Sequence, residues 1–163
     1  MWRWFDQIEE YLAIVLLGCT SLTILASSTM RAIGTPFTGG AELAQFFFIW
    51  TAVFGANITL RQGGQVRIDA LTTRMSLPTL RIITGCCLLL MLIFLAMLAW
   101  YGFPLALSNW RRPMGVGNLS YGYITLALPV GAMMMFVTLI RRIVDKGIVR
   151  SLESDDTFAE ETL

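Results

Sequence analysis

The sequence of 163 residues contains no histidine. Without imidazole, the chain cannot form a Ser-His-Asp or Cys-His catalytic set, a histidine proton relay or the usual zinc sites. Its three cysteines, Cys19, Cys86 and Cys87, lie in or against apolar segments without a CxxC spacing, which favours packing over redox chemistry. We therefore expect a chain that is not an enzyme and that itself holds no metal or other cofactor.

Charge is also scarce: 14% of the residues are charged, 56% are hydrophobic, and the net charge is only +1. No basic groove with interleaved aromatics is visible, so nucleic acid is excluded as a partner. Four stretches without any Asp, Glu, Lys or Arg cover residues 11–30, 43–60, 82–110 and 113–140. Because about 20 apolar residues cross a bilayer core, this pattern predicts four membrane-spanning helices.

The predicted fold is an all-α integral membrane protein with a single domain over residues 1–150. Its spans are expected at about residues 11–30, 42–60, 82–107 and 119–140, and the acidic residues 151–163 are expected to be a disordered cytoplasmic tail. Two proline and glycine pairs modify the later spans: Gly102 and Pro104 predict a kink or an early end of helix 3, and Pro129 and Gly131 predict a bend in helix 4.

The first dozen residues predict a separate short amphipathic helix on the membrane surface. One side of such a helix carries residues at near-helical spacing: Trp2, Phe5 and Ile8, together with Glu9 or Leu12. The opposite side carries most of the polar residues: Arg3, Asp6, Gln7 and Glu10. A cleaved signal peptide is the alternative, with a small-residue site at residues 26–28. The acidic residues Asp6, Glu9 and Glu10 disfavour it.

Orientation follows from the Lys and Arg residues in the loops. With the N-terminus in the cytoplasm, nine of them fall inside and three, Arg31, Arg111 and Arg112, fall outside. The positive-inside rule therefore places both termini in the cytoplasm. Aromatic residues are expected at headgroup depth as interfacial anchors in the membrane lipid: Trp2, Trp4, Tyr121 and Tyr123.

Helix 2 carries the most patterned surface. Small residues at positions i, i+3, i+4 and i+7 form one ridge, hereafter the small-residue ridge: Ala52, Gly55, Ala56 and Thr59. Such a ridge lets another helix approach closely, and that helix belongs either to the same subunit or to a partner. Asn57 and Arg61 are four residues apart and can meet on one face.

Glu42, at the outer end of helix 2, is either a carboxylate favoured by the helix dipole or a contact to a partner's polar group.

The loop that follows helix 2 contains Arg61, Arg67 and Asp69 but no Walker-type GK[ST] motif. Its arginines either anchor the loop to lipid headgroups, or one of them pairs with Asp69 and holds the turn into helix 3.

Together, several residues carry a family resemblance: Glu42, Trp50, Phe54-Gly55-Ala56, Arg61, Gly64 and Arg67-Ile68-Asp69. This pattern resembles the small membrane subunit (DctQ-like) of tripartite ATP-independent periplasmic (TRAP) transporters. The residues with this specific resemblance lie within 42–71, while the length and the four-span layout resemble the family over nearly the whole chain. Where the family commonly has His, this chain has Gln65, which does not titrate near neutral pH.

The resemblance implies a heterodimer in the bacterial inner membrane with a large multi-span subunit. That subunit would carry the sodium and substrate sites and move as an elevator, and a periplasmic binding protein would deliver an organic acid. The small subunit would be a non-catalytic scaffold whose contacts with its partner include Glu42, Trp50 and the small-residue ridge. Two other functions are weighed against it: a homo-oligomeric exporter, disfavoured because no span contains an acid, and a membrane-embedded enzyme, disfavoured by the lack of histidine.

Overall fold

The computed structural model describes residues 2–63, 77–115 and 119–150, which include four long α-helices. They are α1 (Trp2–Ala32), α2 (Gly40–Gln62), α3 (Leu77–Ser108) and α4 (Gly122–Arg150), and a 3-10 turn at Asn109–Arg111 follows α3. Each helix is long and apolar enough to cross a membrane. The prediction of an all-α protein with four spans is therefore confirmed, and the acidic tail lies outside the described residues.

Helix α1 differs from the prediction at its start. It is one continuous helix from Trp2 to Ala32, so a separate interfacial helix is not confirmed. The sequence offers a reason, because no glycine or proline interrupts the chain before Gly18. The charged residues at the N-terminus continue the membrane-spanning helix instead of forming a second element.

The helices lie side by side in the order α1, α2, α4, α3, because the main contacts join α1 to α2, α2 to α4, and α4 to α3. Glycines allow close approach at two of these contacts. A Cβ on Gly131 of α4 would lie 2.5 Å from Cγ1 of Val53 on α2, and one on Gly102 of α3 would lie 3.0 Å from Cβ of Pro129. These glycines therefore set how closely α4 packs against its neighbours.

Buried apolar side chains form a core between α2, α3 and α4: Leu60, Leu88, Leu95, Ala132 and Leu139. Many larger apolar side chains remain exposed, including Leu22 at 66% on α1 and Phe94 at 63% on α3. In a membrane such surfaces contact lipid, so their exposure is consistent with the four spans.

Of the two alternatives predicted at Gly102 and Pro104, the early end does not occur, because α3 continues through both residues to Ser108. A kink there stays a prediction. Pro104 is tolerated inside the helix, as prolines are in membrane spans where neighbouring groups satisfy the freed backbone. In α4 the backbone leaves helical geometry at Gly147, with φ 77° and ψ 170°, and the bend at Pro129 stays a prediction.

Candidate functional site

Polar side chains from α1 and α2 meet at the end of the molecule where α1 begins and α2 ends. The carboxylate of Glu9 accepts a hydrogen bond from Asn57 Nδ2 at 2.6 Å and another from Arg61 Nη1 at 2.9 Å. Arg61 also pairs with Glu10 at 2.7 Å and with Asp6 at 3.0 Å. We call these five residues the α1–α2 polar cluster.

The centre of this cluster is largely closed to solvent. The side chains of Arg61 and Glu9 keep 15% and 10% exposure. Charges removed from water are stable only when they are paired and hydrogen bonded, and these two satisfy each other. Among the described residues, Asn57 Oδ1 is a buried oxygen without a hydrogen-bond partner. The cluster is thus built around ion pairs, with the buried Asn57 amide as an additional donor to Glu9.

Helix α4 joins the same end of the molecule. Arg142 Nη1 donates a hydrogen bond to the backbone carbonyl of Arg61, one of the last carbonyls of α2. Carbonyls at a helix end lack intrahelical partners, so a guanidinium is a suitable donor for them. Arg141 also reaches Asp6 of α1 at 3.4 Å. Three helices are therefore tied together at this end by charged groups.

The structure gives the polar residues of the N-terminal pattern partners within the chain. Asp6 and Glu10, which the pattern places largely opposite the apolar residues, both reach Arg61 on α2. In the sequence pattern, Glu9 lies on the same face as the apolar residues. An acid on an apolar face is a signal that its carboxylate pairs with a group on another helix of the chain. Arg61 was considered as a partner of Asp69, which lies outside the described residues.

The small-residue ridge lies on the opposite side of α2 from the cluster. Ala52, Ala56 and Thr59 are exposed, and Gly55 is partly exposed. A Cβ on Gly55 would have no neighbour within 4 Å. The hydroxyl of Thr59 donates to the backbone carbonyl of Gly55 at 2.8 Å, so it satisfies its polar group within the helix. Within the described part of the chain, no helix packs on the ridge.

The other two predicted partner contacts of α2 have partners within this chain. Glu42 accepts a hydrogen bond from the backbone N–H of Gly115, in the segment between α3 and α4. Trp50 donates from Nε1 to the carbonyl of Tyr123 at 3.2 Å, and its ring lies 6.0 Å from that of Phe54. Glu42 therefore holds α2 to the segment between α3 and α4, and Trp50 holds α2 to the start of α4.

The predicted interfacial aromatics are placed as follows. Trp4 is 69% exposed near the start of α1, and Tyr123 is 40% exposed with its ring 4.9 Å from that of Trp110. The guanidinium of Arg112 lies 5.8 Å from the ring of Tyr121, within cation–π range. The side chain of Trp2, together with Gln65, Arg67 and Asp69, lies outside what the structure describes.

Comparison with known proteins gives one family. Residues 20–146 match the model of the family described as tripartite ATP-independent periplasmic transporters, DctQ component. The match includes all of α2 and α3, most of α4, and residues 20–32 of α1. None of the curated proteins matches the chain.

Proposed function

The chain belongs to the DctQ family, the small membrane component of tripartite ATP-independent periplasmic transporters, and we propose that it is the non-catalytic scaffold subunit of a sodium-coupled transporter for organic acids. The family is one of transporter components and not of enzymes. In this proposal the large subunit holds the sodium and substrate sites, and a periplasmic binding protein supplies the substrate. The complex lies in the inner membrane with both ends of this chain in the cytoplasm.

The distribution of charge supports a scaffold. Ionisable groups within a span are costly, and where they occur they mark ion or substrate pathways. The four charge-free stretches of this chain leave no such group at mid-membrane. The described ion pairs of Arg61 with Asp6 and Glu9, and that of Arg141 with Asp6, lie toward the ends of helices and join α1, α2 and α4.

The single observation that carries the proposal is the exposure of the small-residue ridge. Lipid tails are as apolar as the helices, so helix association in a membrane depends on close van der Waals contact. Ala52 and Ala56 offer a smooth surface for such contact, and the helices of the described chain leave it uncovered. Phe48, one turn before Ala52, is 59% exposed and extends this face along α2. We infer that the large subunit packs here.

Co-purification of the large subunit tests this docking site. Gly55→Leu and Ala56→Leu should each reduce recovery of the large subunit, because a branched side chain holds the two backbones apart. The matched control is Ala96→Leu, since Ala96 is also a small, exposed residue, but on α3. Wild-type recovery with both α2 variants would contradict the proposal, provided that each variant still inserts and keeps its helical content.

The stand-alone exporter has no support from the family assignment, and one measurement separates it from the scaffold. Proteoliposomes that contain only this chain should show no sodium-driven uptake or export of organic acids, while those that also contain the large subunit and the binding protein should show uptake. Transport by the chain alone would favour the exporter.

A further inference from the structure

Two adjoining cavities lie at the end of the molecule that carries the α1–α2 polar cluster. One is a groove of about 630 Å³ between α1 and α4, with α2 as its floor. The other is a pocket of about 460 Å³, lined by side chains of α1, α2 and α4. Asp6, Thr138 and Arg141 line both cavities, so the two cavities adjoin each other.

The groove is largely apolar. Its walls include Phe5, Ile8 and Leu12 of α1, Met133 and Val137 of α4, and Phe54 of α2. These walls are open, since Phe5 is 66% exposed and Val137 is 50% exposed. In a chain that spans the membrane, an open apolar groove of this kind is suited to an acyl chain.

The pocket, in contrast, is lined by polar and charged residues with both signs of charge. Asp6, Glu10 and Asp145 supply carboxylates, and Arg61, Arg141, Arg142 and Lys146 supply cations. Several of these side chains remain accessible although they are paired: Asp6 is 26% exposed, Arg141 32% and Asp145 63%. The pocket therefore presents accessible anionic and cationic groups next to an apolar groove.

This polarity matches a phospholipid with a zwitterionic headgroup. Guanidinium groups bind phosphate oxygens, and carboxylates accept hydrogen bonds from an ammonium group. A purely anionic lipid would use the cations alone and would be repelled by the carboxylates. We propose that this site binds phosphatidylethanolamine, with one acyl chain in the groove and its headgroup in the polar pocket.

The headgroup determines which lipid is selected. An acyl chain gains no hydrophobic free energy by moving from the bilayer into the groove, because both surroundings are apolar. Phosphatidylcholine has the same charges but no N–H donors for the carboxylates, and phosphatidylglycerol has the phosphate without the ammonium. The site should therefore retain phosphatidylethanolamine in preference to both.

Native mass spectrometry of the full chain tests the site, with the chain released from nanodiscs that contain equal amounts of the three lipids. Phosphatidylethanolamine should be retained over each of the others by about tenfold, the effect of losing one charge-assisted set of hydrogen bonds. Val137→Trp should fill the groove and abolish this retention. Ile140→Trp is the control, because Ile140 is 42% exposed on α4 and does not line the groove.

Two results would overturn the proposal. The first is equal retention of the three lipids, and the second is undiminished retention by Val137→Trp with normal helical content. Because lipid retention is measured on this chain alone, the result does not depend on whether the scaffold proposal holds.

Discussion

Glu9 of α1 and Arg61 of α2 form an ion pair in which 2.9 Å separates Oε2 from Nη1, and both side chains are mostly buried. Their positions in the sequence are 52 residues apart, so the pair fixes the start of α1 against the end of α2. Both charges are largely removed from water, and their mutual contact therefore replaces hydration. The pair should matter more for stability than an exposed salt bridge does.

Breaking the pair should destabilise the protein. Arg61→Met leaves the buried carboxylate of Glu9 without its arginine and should lower the free energy of unfolding by about 3 kcal/mol, the usual cost of an orphaned buried charge. The double variant Glu9→Gln, Arg61→Met should cost less than the sum of the single variants. Denaturation in mixed detergent micelles, followed by circular dichroism, gives the values, and Arg31→Met, at an exposed arginine, is the control.

The same unfolding measurement distinguishes two candidate partners of Arg61, namely Glu9 and Asp69. If Arg61 instead held the turn into α3 through Asp69, then Asp69→Asn would couple to Arg61→Met, and Glu9→Gln would add independently. We expect the reverse, since Glu9 is a described contact of Arg61. Additive costs for Arg61 and Glu9 would contradict the role given to the cluster.

The sequence predicted the spans because their signal is local. A charge-free run of sufficient length defines a helix that crosses the membrane, and the stretch 82–110 indeed lies within α3 and its 3-10 extension. The partner of Glu9 was not predictable in the same way, because it depends on how α1 packs against α2. Residues 9 and 57 meet only once both helices are formed and placed.

Two glycines should respond oppositely to the same substitution. A Cβ on Gly131 would lie 2.5 Å from Cγ1 of Val53, so Gly131→Ala forces α2 and α4 apart and should cost about 1–3 kcal/mol. A Cβ on Gly55 meets nothing within 4 Å, so Gly55→Ala should be neutral or stabilise α2 by about 0.5–1 kcal/mol.

Unfolding of the isolated subunit measures both effects. Val53→Ala removes the two methyl groups that a Cβ on Gly131 would meet, so it should recover part of the loss in Gly131→Ala. Equal destabilisation by the two glycine variants would show that Gly55 is packed inside the subunit. The ridge could be found in the sequence from its spacing, but only the placement of α1 and α4 shows that it is left uncovered.

Topology provides a test that is independent of packing. With nine of the twelve Lys and Arg residues assigned inside, a reporter fused after Gly64 or after the tail should be cytoplasmic. A reporter inserted within residues 115–118 should be periplasmic. An outward report after Gly64 would reverse the orientation and place the α1–α2 polar cluster at the periplasmic face.

Glu42 links α2 to the segment between α3 and α4, because its carboxylate accepts the backbone N–H of Gly115. Glu42→Ala removes this acceptor, and the exchange of the Gly115 amide with deuterium should become about fivefold faster, corresponding to a loss of about 1 kcal/mol. Gln45→Ala is the control on the same helix, since the Gln45 amide makes only a long 3.5 Å contact with the Tyr121 hydroxyl. If Glu42 instead serves the large subunit alone, Gly115 exchange will not change in the isolated chain, and Glu42→Ala will weaken only the complex.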